Sequence, residues 1–134
     1  MATFVESLGT YLQQNAGIAA LVSGRVYPVR TPDNPTIPYV VYRVRLEPEN
    51  TLTVAPITKA MITITVAART TPSTSGYFTA HAIADAIRDA LAYFKGTLKT
   101  SGVDSQGSLV MSTEDGEAAE FGVFETITEA EMWF

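Results

Sequence analysis

His81 is the only histidine in the chain, and Asp85 stands four residues on, one helical turn away. A general base needs such a carboxylate to orient its imidazole, and then a nucleophile or substrate within about 3 Å. No Gly-x-Ser-x-Gly elbow supplies one, and neither Ser23-Gly24-Arg25 nor Thr100-Ser101-Gly102 matches a glycine-rich phosphate loop. The plainer reading is a solvated helix histidine beside an acid. With one histidine and no cysteine, a zinc site would need three carboxylates, an uncommon set.

The acids group twice. Glu114, Asp115, Glu117 and Glu120 have the charge for calcium but not the alternating spacing of an EF-hand loop, which leaves a charged hairpin tip. Glu125, Glu129 and Glu131 could be paired catalytic carboxylates, but their even spacing places them on one strand face, better read as solvated or as an interface. Tyr27, Tyr39, Tyr42 and Phe134 could stack bases. Without basic residues around them they read as core and interface. The sequence therefore assigns no catalytic, metal or cofactor-binding residue, and an enzyme is not the favoured reading.

The totals agree. Fourteen acids against nine Lys and Arg give a net charge of −5, with no basic stripe to release counterions from phosphates, so nucleic-acid binding is not the main task. The absence of cysteine excludes disulfides and thiolate chemistry and fits a reducing compartment. No apolar run approaches the roughly 20 residues that span a bilayer, and no basic, apolar leader opens the chain, which fits synthesis in a cytoplasm. At 134 residues and 46% apolar, the chain is expected to form one domain over residues 1–134.

The element that organises the rest is the stretch Ile37–Leu46. Along an extended strand Val40, Tyr42, Val44 and Leu46 share an apolar face, while Tyr39, Val41, Arg43 and Arg45 share the other. Before it, Thr3 and Glu6 have capping-box spacing, and Phe4, Leu8 and Leu12 stripe a first helix. Asn15-Ala16-Gly17 interrupts, and a second helical turn, Ile18–Val22, stops at Gly24. A short strand over Arg25–Pro28 leads into a proline-rich segment to Pro38. After the central strand a loop is expected over 47–59, then a strand over Ala60–Ala68 with Ile62, Ile64 and Val66 inward. A long alanine-rich helix follows over Tyr77–Lys95, striped by Ile83, Ile87, Leu91 and Phe94 and stopped at Gly96. A hairpin over 107–134 closes the chain, with strands over Gly107–Thr113 and Phe121–Trp133. Thr126, Thr128, Ala130 and Met132 share one face of the last strand, with Phe124, and the three glutamates share the other with Ile127. Placing that acidic face beside Arg43 and Arg45 would make cross-strand ion pairs. This pattern predicts an α+β fold: an antiparallel sheet of four to five strands with an N-terminal helix and one long helix on one face. Trp133 and Phe134 are expected to tuck under the chain's own core or to dock on a neighbour.

Leu12, Ile18–Val22, Gly24-Arg25-Val26-Tyr27-Pro28, the proline-rich gap and Ile37-Pro38-Tyr39-Val40-Val41-Tyr42 together resemble the tail completion, or tail-to-head joining, family of long-tailed bacteriophages. The Thr63–Ala68 strand, the alanine-rich helix and the closing hairpin follow in the same order. The chain departs from the pattern where Ala67-Ala68 stand in place of an expected aromatic. The resemblance implies a structural virion protein without cofactor, made in the host cytoplasm and carried at the head–tail interface. It implies self-assembly into a ring, typically a hexamer. Such a tail terminator caps the major tail tube protein once the tail reaches its length and presents a surface to the head connector. DNA passes through its centre without specific binding. Candidate interface residues are Arg43 and Arg45; Glu47, Glu49, Asn50, Leu52, Val54 and Ile57 in the expected loop; Glu125, Glu129 and Glu131; and Trp133 and Phe134. The alternatives are a head-completion adaptor or other connector-ring component, and a small hydrolase or ligand-binding domain with a pocket between sheet and helix.

Overall fold

The structure, a computed structural model, describes residues 3–33, 36–49, 57–98, 104–116 and 122–134. The capping box forms: the Thr3 hydroxyl accepts the Glu6 N–H at 3.2 Å, and the Glu6 carboxylate accepts the Thr3 N–H at 3.1 Å. It starts α1 (Phe4–Gln14), whose Phe4, Leu8 and Leu12 are all buried. Asn15 serves two helices at once. Its N–H donates to the Tyr11 carbonyl at 3.0 Å, ending α1, and its Oδ1 accepts from Gly17 and Ile18 at 3.1 and 3.2 Å, starting α2 (Ala16–Val22). The expected interruption is thus a one-residue joint. Ser23 and Gly24, at φ +52° and +76°, then turn the chain into the sheet.

The strands are β1 (Val26–Pro28), β2 (Tyr39–Glu49), β3 (Ile57–Arg69), the two-residue β4 (Gly96–Thr97) and β5 (Asp104–Ser105), β6 (Gly107–Asp115) and β7 (Val123–Trp133). Five form one sheet in the order β1-β2-β3-β7-β6, while β4 and β5 make a separate ribbon. The sheet is mixed, which corrects the expected purely antiparallel one: β1 runs parallel to β2. The segment between them carries the chain back to the same end of the sheet, so both strands leave in the same direction. All other pairings are antiparallel. β2 and β3 also outrun their predicted ends, pairing Glu47 with Lys59 and Glu49 with Ile57, so both ends of the expected 47–59 loop are strand. Asn50, Leu52 and Val54 lie outside the described residues, as do Glu117 and Glu120.

α3 (Gly76–Leu91) packs with α1 and α2 over one sheet face. It ends four residues before Lys95. The cause is Ser108 on β6, whose hydroxyl donates to the Leu91 carbonyl and accepts the Phe94 N–H at 2.9 Å, while its own carbonyl accepts the Tyr93 N–H at 3.1 Å. These bonds satisfy groups that another helical turn would have used, and Tyr93 takes a positive φ of 55°. Ile83, Ile87 and Leu91 are buried as the stripe predicts, with Phe94 packed beside them beyond the helix. Opposite them lie Val40, Tyr42, Ile62, Ile64, Val66, Thr128, Ala130 and Met132, every second residue of three strands. Leu46 does not join them: it is 47% exposed, because the apolar contact with the helices ends at Val44. α1 approaches β2 closely enough that a methyl group on Gly9 would collide with the Tyr42 hydroxyl, which donates to the Val5 carbonyl at 3.3 Å. Burial pushes the Tyr42 phenol's pKa up.

Candidate assembly surface

Among the described residues, no helix packs on the opposite face of the sheet. Register runs across it in rows: Arg43, Thr63 and Glu129; Arg45, Met61 and Glu131; Val41, Thr65 and Ile127; Tyr39, Ala67 and Glu125. β3 therefore separates the arginine strand from the glutamate strand, and the expected direct cross-strand ion pairs do not form. Two strand spacings put the two charge rows about 10 Å apart. Between them lies a neutral floor of Met61, Thr63 and Thr65, none of them fully buried. Two adjoining hollows share Arg43 and Thr63; one extends to Met61 and Glu129, the other to Tyr39, Glu125 and Val29. Burial in the second hollow holds the Glu125 carboxyl above the usual range.

At the far end Glu47 is ion-paired to Arg45 and lies 3.3 Å from Lys59. The Arg45 hydrogen bond, then that of Lys59, lowers its pKa. Trp133 is half-buried at the same end, in register with Lys59 and Gly107. Phe134 turns the other way. Its ring stacks on Phe4 with centroids 4.3 Å apart, and its backbone exchanges hydrogen bonds of 2.8 and 3.0 Å with Thr58. Of the two fates open to it, Phe134 takes the chain's own core. Tyr42 does the same, while Tyr27 and Tyr39 stay half-buried with centroids 6.4 Å apart.

His81 does not meet Asp85, which instead faces Arg88 at 3.5 Å. Its Nε2 lies 2.8 Å from Asp115 Oδ1, and the Tyr77 hydroxyl donates to Oδ2 of the same carboxylate at 3.2 Å. That bond raises the Tyr77 pKa. The Tyr77 ring sits 4.6 Å from His81 and edge-on to Phe124 at 5.8 Å. A β-bulge between Val110 and Ser112 makes this contact. Alternation from Leu109 would put Asp115 on the open face; the extra residue at Met111 rolls it to the helix side. The trio clasps the start of α3 to the end of β6. An imidazole held this way could exchange protons, but the phenol beside it already donates to the same carboxylate, so no activated nucleophile results. Among the described residues no group of three or more His, Asp or Glu converges as a metal site, and no helix is long and apolar enough to cross a membrane.

Comparison with known proteins places this architecture. A chain from the virion of a native gene transfer agent particle superposes with a TM-score of 0.75 at 19% identity, over 98% of this chain and 93% of that one, which shows a shared fold. No curated protein matches. The family model of the tail completion protein gp17 matches residues 6–120, which take in the helices, the open-faced strands β2 and β3, and β6. The chain belongs to the tail completion protein gp17 family, structural tail components of the virion.

Proposed function

We propose that this protein is a tail terminator: one subunit of a ring, of hexameric order, that seats on the end of the tail tube and joins it to the head connector. The observation that carries the reading is the bare sheet face, with charged rows flanking a neutral floor, on a fold whose opposite face is sealed by three helices. A ring subunit needs heterologous surfaces that close on themselves, plus exposed ends for the partners above and below. The Glu47–Lys59 end of the β2–β3 pair, with Trp133 beside it, is the candidate axial contact. Glu129 and Glu131 suit a lumen through which DNA slides without adhering, in keeping with the net charge of −5.

The test is complementation of a phage or particle producer lacking the gene. Tails made without the protein should have irregular lengths and carry no heads, and the wild-type chain should restore both. Recovery of the protein on filled, tailless heads instead of on tails would favour the head-completion adaptor. Unchanged infectivity after Glu129→Lys and Glu131→Lys would remove the acidic lumen.

A further inference from the structure

The two outer strands are each half bare. β1 pairs with only Val40, Val41 and Tyr42 of β2, and the last bond on that side runs from the Val29 N–H to the Tyr42 carbonyl, 2.9 Å. From Arg43 to Glu49, no described strand lies against the outer side of β2. Its outward backbone groups belong to the even residues, Val44 and Leu46, and then to Pro48, which has no N–H to leave unpaired. β6 is bare at the opposite end. The turn after α3 occupies its start through the Tyr93 bond to Ser108, and among the described residues nothing pairs with the outer side of Val110 to Asp115. Three exposed apolar side chains lie on these edges: Leu46, Leu109 and Met111, at 47%, 41% and 52%. Such edges invite another strand.

We propose that the occupant is a second copy of this chain, whose β6 adds to β2 and continues the sheet from subunit to subunit. This rests on the ring reading above and supplies its joint. Three observations support it. First, direction: with neighbouring copies in the same orientation, β6 of one meets β2 of the next antiparallel, as every long pair within the chain already runs. Second, register. Carried across the sheet, Asp115 stands level with Val40, a position β1 already occupies. An upward shift of four residues, about 13 Å, is the smallest that keeps faces matched and clears β1. It sets Asp115 of the neighbouring copy opposite Val44, Thr113 opposite Leu46 and Ser112 opposite Glu47. A closed sheet requires such a fixed stagger. Third, charge: the same shift brings Glu114 of the neighbouring copy directly opposite Arg45, both on the open face. The blocked corners, β1 below and the Tyr93 turn above, thus dictate the stagger that makes the charges meet.

The chain has no cysteine, so disulfide trapping has no background. In the doubly substituted Arg45→Cys/Glu114→Cys protein, oxidation of assembled tails or concentrated protein should give a ladder of covalent multimers up to the full ring. Either single substitution should give none, and neither should Arg43→Cys/Glu114→Cys, two residues out of register. Separately, Arg45→Glu and Glu114→Arg should each cut assembly at least tenfold, with the double exchange restoring it. Leu46→Pro, which removes an outward N–H at an exposed position, should abolish assembly with an unchanged circular dichroism spectrum. Native mass spectrometry of the unsubstituted protein separates the two levels of failure. A ring of normal mass without the ladder overturns the edge joint and leaves the ring reading standing. No multimer free or on tails overturns both.

Discussion

The two faces of this sheet use the same three strands and opposite logic. On the helix side, alternate residues of β2, β3 and β7 are apolar or small hydroxyl residues, close-packed under α1, α2 and α3. On the open side, the residues between them mix threonine, methionine and a few apolar or aromatic side chains (Tyr39, Val41, Ile127) with arginines and glutamates that do not neutralise one another directly. The contrast teaches that a side-chain period of two can encode a fold and an assembly surface in one stretch, provided each tolerates the other's residues.

The contrast can be broken most severely from the covered side. Ile64→Ala should cost about 2–5 kcal/mol, because the site is sealed between strands and helices and cannot collapse; a smaller loss of unfolding free energy in a urea titration would mean the core is looser than its burial implies. Gly9→Ala should cost about 1–3 kcal/mol through the collision with Tyr42, and the truncation Tyr42→Phe in the same chain should recover part of it. Ser108→Ala strips the end of α3 of its hydroxyl partner and should cost about 1–3 kcal/mol, read as a lower melting temperature.

The open face should behave oppositely, and Glu125 sharpens the difference. Its carboxyl titrates above the ordinary value in the folded chain, so ionising it opposes folding. That penalty is absent at low pH, where both states are protonated; it grows as pH rises through the unfolded value and is complete above the folded one. Glu125→Gln should therefore match wild type near pH 3 and exceed it slightly at neutral pH, by up to about 0.5 kcal/mol. Glu47 has the reverse sign: its lowered pKa gives a contribution present at neutral pH and lost as pH falls. A Glu125→Gln protein less stable than wild type at neutral pH would show that the ionised carboxylate gains more from its surroundings on this face than burial costs it.

Much of this was legible in the chain. The Thr3/Glu6 box, the Phe4-Leu8-Leu12 stripe and the alternation on β2, β3 and β7 each rest on local periodicity, and each formed, save that Leu46 at the end of the β2 apolar face is exposed. What escaped depended on residues far apart. The direction of β1 is set by where an irregular segment returns. The end of α3 is set by Ser108, seventeen residues past Leu91. The separation of arginines from glutamates follows from β3 inserting between their strands. Asp115 was hidden by one extra residue at Met111 that inverts the alternation. Of the candidate interface residues, Arg43, Arg45, Glu125, Glu129 and Glu131 share one face, while Phe134 is engaged with Phe4.

Asn15 carries a consequence of its own. Because one side chain and one amide close the first helix and open the second, the elbow between them has no slack. An inserted or deleted residue there would rotate one helix by about 100° about its axis and lift either Leu8 and Leu12 or Ile18 and Val22 off the sheet. Length variation in this region can therefore be absorbed only beyond the joint, toward the glycine turn at Gly24.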